Sequence, residues 1–100
     1  MDGKDSVSDR IRTGAVTCST TRAKLTEDSA RCSKGVTIRA KTGNSVPVYV
    51  GGQNVTADDT ATSGGYPLAA GESLFIPTDD ASKVYVVCAS SNPVVSWLAI

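Results

Sequence analysis

In the stretch GVTIRAKTGNSVPVYVGGQNV, residues 35–55, residue types alternate on both sides of a Gly-Asn turn. The run before the turn sets three apolar residues against three polar ones: Val36, Ile38 and Ala40 against Thr37, Arg39 and Lys41. A period of two is typical of a strand with one buried face. Gly43 and Asn44 tolerate a positive φ and favour a turn. The stretch predicts two β-strands joined by a turn.

Pro47 stands at the start of the second run, VPVYVGG. Proline has no N–H to donate to a neighbouring strand, so it predicts an edge strand or a bulge. Edge strands leave backbone groups that need covering. The predicted partner contact is therefore an edge strand: either residues 47–50 or the C-terminal strand.

The C-terminal half supplies further strands between turn residues. GYPLAAGESLFIP (65–77) is predicted as a turn followed by a strand, KVYVVCAS (83–90) is apolar on both faces and predicts a central strand, and VVSWLAI (94–100) alternates to the chain end. Together with a Thr- and Ser-rich strand after Ala15, they predict an all-β fold: a small antiparallel sandwich of six to eight strands, either jelly-roll or immunoglobulin-like. The predicted core residues are Val36, Ile38, Val84, Val86 and Trp97.

The N-terminal segment is polar, and after Met1 its only sizeable apolar residues are Val7 and Ile11. Too few apolar groups are present to pack a helix face. Residues 1–13 are therefore predicted to form a flexible arm that is disordered until assembly, ahead of one domain at 14–100. Predicted contacts within the arm are Val7, Arg10, Ile11 and Arg12. Neither a secretory signal nor a membrane span is expected.

Charge and residue content disfavour several functions. Ten basic and ten acidic residues cancel, which disfavours nucleic acid and anionic membranes as partners. Histidine is absent, so the usual general base and metal ligand are missing. We expect neither an enzyme nor a cofactor or metal site.

The remaining polar and sulfur-containing residues have structural interpretations. The pairs Asp58-Asp59 and Asp79-Asp80 could hold calcium, but such pairs are more often turn residues or caps. The three cysteines, Cys18, Cys32 and Cys88, lack the spacing of a disulfide framework or a zinc site, and we interpret them as small buried hydrophobes. Five basic residues could form a strip on the surface, although neutral overall charge favours an ordinary solvated face. They are Arg22, Lys24, Lys34, Arg39 and Lys41.

Tyr49 and Tyr66 lie beside Gly and Pro turns and are the predicted surface aromatics, whereas Trp97 lies in an apolar strand and is predicted to be core. Exposed tyrosines can contact a partner protein or a sugar.

The order of GVTIRAKTGNSVPVYVGG, GYPLAAGESLFIP, KVYVVCAS and a closing VSWLAI resembles that of small, roughly 100-residue β-sandwich structural proteins of tailed bacteriophages. The similarity runs from about Gly35 to Ile100. It implies a virion component assembled in the bacterial cytoplasm: a capsid decoration or cement protein that binds the major capsid protein and stabilises the head, as a homo-oligomer, trimer or dimer. The alternatives are a neck, tail or fibre-base protein, and a carbohydrate-binding module that presents exposed aromatics to a host glycan.

Overall fold

The computed structural model describes residues 11–27, 30–58 and 64–100. These ranges contain eight strands and a short 3₁₀ helix, Ala81–Lys83. The strands are β1 (Arg12–Thr17), β2 (Ala23–Lys24), β3 (Val36–Ala40), β4 (Val48–Gly51), β5 (Tyr66–Leu68), β6 (Ser73–Ile76), β7 (Tyr85–Val87) and β8 (Val94–Ala99). The predicted all-β antiparallel sandwich is confirmed.

Two four-stranded antiparallel sheets form the sandwich. The first sheet has the order β1-β8-β3-β6 and the second sheet has the order β2-β7-β4-β5. Strands are paired from the two ends of the chain inward: β1 with β8, β2 with β7, β3 with β6 and β4 with β5. A chain folded in half and wound over itself in this way is a jelly roll, so the strand order selects that fold over the immunoglobulin arrangement.

The core lies between the two sheets. In β8, buried and exposed side chains alternate as the sequence does. Val95, Trp97 and Ala99 are buried, whereas Ser96 and Leu98 are exposed on the other face. All five predicted core residues belong to one buried cluster, which holds Val36, Ile38, Val84, Val86 and Trp97.

Trp97 packs directly under Gly14, its partner across the β1–β8 ladder. A Cβ at Gly14 would lie 2.7 Å from Cε2 of the indole ring, so the close approach requires glycine. The Nε1 atom of Trp97 is buried, and no group in the described part of the chain accepts its hydrogen bond.

The structure contradicts the prediction that Pro47 marks an edge strand. β4 begins at Val48 and is an inner strand, paired with β5 on one side and β7 on the other. Pro47 is the residue directly before the ladder, so its missing N–H removes no hydrogen bond from it. The predicted contact over residues 47–50 therefore does not offer open backbone groups. The alternative contact, the C-terminal strand, is contradicted in the same way, because β8 is an inner strand paired with β1 on one side and β3 on the other.

The turn between β3 and β4 crosses from the first sheet to the second, and Asn44 fixes it. The Asn44 side chain donates from Nδ2 to the Val94 carbonyl at 2.9 Å and accepts at Oδ1 from the Val94 N–H at 3.0 Å. The amide thus takes the place of a backbone peptide beside the start of β8.

β1 begins at Arg12, which pairs with Ala99, two residues before the expected domain start at 14. Strand β8 offers ladder partners as far as Ala99, so Arg12 and Thr13 join the sheet. Val7, Arg10 and the rest of the expected arm up to residue 10 lie outside the described residues.

Candidate interaction surface

The outer face of the first sheet carries a row of exposed apolar side chains. Register places Leu98 opposite Thr13 on one side and Thr37 on the other, and Thr37 is in turn opposite Phe75. Opposite residues point to the same face of a sheet, so these four side chains cross it in one line. Leu98 is 39% exposed and Phe75 is 47% exposed. The line therefore presents two large apolar groups to solvent.

Gly35 shapes the β6 end of this row. Its φ of +154° is one that residues with a Cβ rarely adopt. A Cβ at this position would lie 2.8 Å from Cζ of Phe75, so the ring of Phe75 lies over the backbone of Gly35. The absence of a side chain at Gly35 therefore leaves room for the ring of Phe75 at this end of the row.

The same face has a cationic side and no acidic one. The next row places Arg39 beside Ser96, and Ser96 beside Ala15. Arg39 is exposed. The outward strand residues are Thr13, Ala15, Thr17, Thr37, Arg39, Ser73, Phe75, Val94, Ser96 and Leu98, and none of them is a carboxylate. An apolar row flanked by a guanidinium suits a partner surface with apolar and acidic groups.

The basic residues considered together in the sequence do not form one strip. Arg39 lies in the first sheet, whereas Lys24 lies in β2 of the second. Arg22 donates from Nη1 to the Val55 carbonyl at 3.4 Å.

The outer face of the second sheet is covered by the chain's own loop. Val55 is 3% exposed and lies over the sheet in a slot between two glycines. A Cβ at Gly51 would be 2.8 Å from Cγ2 of Val55, and one at Gly65 would be 2.6 Å from the same atom. Val87, opposite Tyr49 on this face, is also buried. Val55 therefore covers this face at Gly51 and Gly65, and neither Val55 nor Val87 belongs to the main core cluster.

The edge of the first sheet at β1 exposes backbone groups. The Cys18 N–H donates to the Pro93 carbonyl at 2.8 Å, in register with the β1–β8 ladder. Backbone groups of alternate residues point to the same side of a strand, so Gly14 and Val16 also bond to β8. The N–H and C=O groups of Thr13, Ala15 and Thr17 therefore point away from β8, where no described strand pairs with them.

The remaining predicted contact residues are scattered. Tyr66 is 59% exposed, and its ladder partner Val50 faces the core; Tyr49 is half-buried and pairs with Pro67 on the opposite face. The two tyrosines do not share a platform. Pro47 is half-buried, whereas Ile11 and Arg12 are exposed at the start of β1.

The acidic pair Asp79-Asp80 performs two different tasks. Asp80 Oδ1 accepts hydrogen bonds from the N–H groups of Ala30 and Ser82, both at 2.9 Å, and caps the 3₁₀ helix. The exposed Asp79 forms an ion pair of 2.7 Å with Lys83, whose hydrogen bond and charge lower the pKa of Asp79. Within the described ranges, no group of three or more potential metal ligands is present.

The thiols differ in exposure. Cys18 and Cys88 are buried, and burial, with a smaller contribution from Cys88, raises the pKa of Cys18 to about 12. Cys32 is half-buried, and its Sγ donates to the Thr78 carbonyl at 3.2 Å. Burial, followed by the charges of Asp80 and Asp79, raises the pKa of Cys32.

Sequence reasoning missed the surface formed by Leu98, Phe75 and Arg39, because it assigned these residues to strands without knowing which strands are neighbours. One signal was available: Phe75 and Leu98 stand in the outward phase of their runs, each two positions from a serine, Ser73 or Ser96. Large apolar residues in that phase indicate a sheet face that binds something.

No protein-family model matches the chain, and no curated protein and no solved structure is significantly similar to it. The described residues include no helix with the length and hydrophobicity needed to cross a membrane.

Proposed function

We propose that this chain is a non-enzymatic structural protein of a bacteriophage virion, a capsid decoration protein that binds the major capsid protein through the outer face of its first sheet. The observation that carries the proposal is the exposed row in which Leu98 and Phe75 flank Thr37, beside the cation Arg39. A row of this kind on an otherwise well-formed sandwich favours a binding surface over a catalytic site.

The fold and the sequence resemblance support the same proposal. Jelly rolls with eight strands recur in viral capsid proteins, and they also occur in lectins and cupins. Because a fold is shared by unrelated functions, the topology alone does not select a virion role. The resemblance of the segments from Gly35 to Ile100 to phage structural proteins favours the virion among these uses.

Binding through this face is expected to be weak for each copy. Fully burying a Leu or Phe side chain stabilises by about 1.5–3 kcal/mol, and Leu98 and Phe75 are already about half-buried, so each would add roughly 1 kcal/mol. A decoration protein gains from multivalency, since an oligomer that contacts several capsid subunits binds far more tightly than one copy does.

The copy number of the chain in purified virions tests the location. Quantitative mass spectrometry should find it in amounts comparable with the major capsid protein. A few copies per particle would instead place it at a neck, tail or fibre base, and its absence from particles would refute a virion role.

A pair of variants tests the surface. Leu98→Asp puts an uncompensated carboxylate into the proposed interface and should abolish binding to particles that lack the chain. Tyr66→Asp is the matched control, because Tyr66 is more exposed than Leu98 but lies in the second sheet. Equal loss of binding in both variants, or in neither, would contradict the assignment of the face.

The carbohydrate-binding alternative needs exposed aromatic side chains grouped on one surface. Tyr49 and Tyr66 point to opposite sides of the second sheet and do not form one aromatic platform.

A further inference from the structure

We propose that the open edge at β1 pairs with β1 of a second copy of this chain, antiparallel across a two-fold axis at Ala15, to join two first sheets into one continuous sheet. This pairing is a property of the edge and does not depend on the proposed virion role. Three observations support the pairing. β1 has unpaired backbone groups, the other three edge strands are shorter or better protected, and the side chains that would lie opposite each other in two β1 strands are compatible.

The open groups belong to alternate residues of β1. Thr13, Ala15 and Thr17 direct their N–H and C=O groups away from β8, and all three residues are exposed. An open strand edge is a template for another strand, and proteins usually protect such edges with lysine, proline or a bulge. Residues 13–17 contain no proline and no charged side chain.

The other three edges are less suited to pairing. β2 is two residues long. β5 contains Pro67, and the Gly65 N–H beside it already donates to the Thr56 carbonyl at 3.0 Å. β6 has four residues and ends before Pro77. β1, with six residues, is therefore the longest edge and the least protected one among the described strands.

The register follows from the requirement that the open backbone groups of both β1 strands face each other in the ladder between the two copies. With Ala15 opposite Ala15 of the second copy, Thr13 lies opposite Thr17, and all three open positions become hydrogen-bonded pairs. This register forms about six backbone hydrogen bonds, and a shift by two residues in either direction leaves one of the three open positions without a partner in β1 of the second copy. It also keeps outward residues opposite outward ones, as a shared sheet requires.

The side chains at this register favour a second copy over an unrelated strand. The central pair is Ala with Ala, so no bulky or charged groups meet at the axis. Threonine faces threonine on each side, a cross-strand pair that is favourable in sheets. On the inner face, the half-buried Val16 of one copy lies beside Gly14 of the other, which has no side chain to obstruct it.

Sedimentation equilibrium of the full chain tests the proposal. The parent should sediment as a reversible dimer, twice the chain mass of 10.3 kDa, at micromolar concentrations. Ala15→Pro removes an N–H that does not bond to β8, and it should raise the dissociation constant of the dimer by roughly 10- to 100-fold. Ala15→Lys, which places like charges at the axis, should do the same if the proline variant folds poorly.

Ser73→Pro is the matched control at the opposite edge of the same sheet. The Ala40 N–H donates to the Glu72 carbonyl at 2.9 Å, so Ser73 directs its own N–H away from β3. This variant should remain dimeric. A parent that is monomeric throughout, or a dimer that resists both Ala15 variants, would overturn the proposal.

Disulfide cross-linking tests the register. Hydrogen-bonded antiparallel pairs have Cα atoms about 5.5 Å apart, within the range of about 4.4–6.8 Å that a disulfide spans. In a Cys32→Ser background, Ala15→Cys should therefore form a covalent dimer in a glutathione redox buffer. Thr13→Cys should not, because the two introduced thiols would be about 14 Å apart along the shared sheet. Cross-linking of both to the same extent would refute the Ala15-centred register.

Discussion

The two sheets of this jelly roll treat their outer faces differently. The second sheet is covered by its own loop, because Val55 fills the slot between Gly51 and Gly65. The first sheet carries Leu98 and Phe75 on its outer face, and no described loop covers them. Both faces contain apolar residues, so composition does not distinguish them. An apolar residue on an outer face therefore indicates a partner only where the chain does not cover that face itself.

Trp97 faces the core between the two sheets, so its removal should destabilise the protein more than any change on an outer face. Trp97→Ala removes the indole ring beneath Gly14 and should lower the free energy of unfolding by about 3–5 kcal/mol, because the cavity cannot collapse between two sheets. Urea denaturation of parent and variant measures this. A loss below about 1 kcal/mol would show that Trp97 lies outside the folding core.

The next effect compares the two outer faces directly. Val55→Ala should cost about 1.5–3 kcal/mol if the loop truly closes the second sheet. Leu98→Thr, which keeps a strand-forming residue on the open face, should cost less than about 1 kcal/mol. Equal costs in urea denaturation would contradict this difference, since they would mean that both outer faces are packed alike.

The stability of the protein at alkaline pH should depend on the buried thiol of Cys18, which directly follows β1. Below about pH 9 the Cys18 thiol is protonated in both folded and unfolded chains. Above its ordinary pKa of 9.0 the unfolded chain releases this proton while the folded chain, with a pKa of about 12, retains it. Stability should therefore fall by about 1.4 kcal/mol per pH unit from pH 9 towards pH 12 on account of this group.

Cys18→Val is the control for the alkaline effect, because other groups also titrate in this range. The variant should show a shallower decline of stability between pH 9 and pH 12 than the parent in urea denaturation. Parallel curves would mean that burial of the thiol does not control its titration.

The smallest effects concern neighbouring carboxylates in the connection from β6 to β7. Asp80→Ala removes the cap of the 3₁₀ helix and the acceptor of the Ala30 N–H, and it should cost about 0.5–2 kcal/mol. Lys83→Ala breaks only the exposed ion pair with Asp79 and should leave the melting temperature unchanged at physiological salt. Calorimetry that ranks the two variants in the opposite order would contradict these assignments.

The sequence predicts local features of this fold well and non-local ones poorly. The alternation of Val36 with Thr37, and of Trp97 with Leu98, identifies strands and their buried faces, because a period of two is a local property. It does not say which strands are neighbours, so the choice between jelly roll and immunoglobulin order stays open until the pairing is known. Pro47 is an example. A proline within a ladder indicates an edge strand, but a proline directly before the ladder does not, and the sequence does not show where the ladder begins.

The candidate surface was hidden for the same reason. Phe75 and Leu98 are 23 positions apart in the sequence and meet across the first sheet only through Thr37 of β3. The role of Val55 was hidden because it stands alone in a polar loop. The flanking Gly51 and Gly65, which make room for it, gave turn signals in the sequence rather than packing signals.

Amide hydrogen exchange along β1, followed by NMR at several protein concentrations, tests most directly whether the first sheet is the side that meets partners. A self-pairing edge predicts that the amides of Thr13, Ala15 and Thr17 exchange slowly in concentrated protein and rapidly on dilution, while those of Gly14 and Val16 stay slow because they bond to β8. Rapid exchange at Thr13, Ala15 and Thr17 at every concentration would contradict an edge that pairs with a second copy.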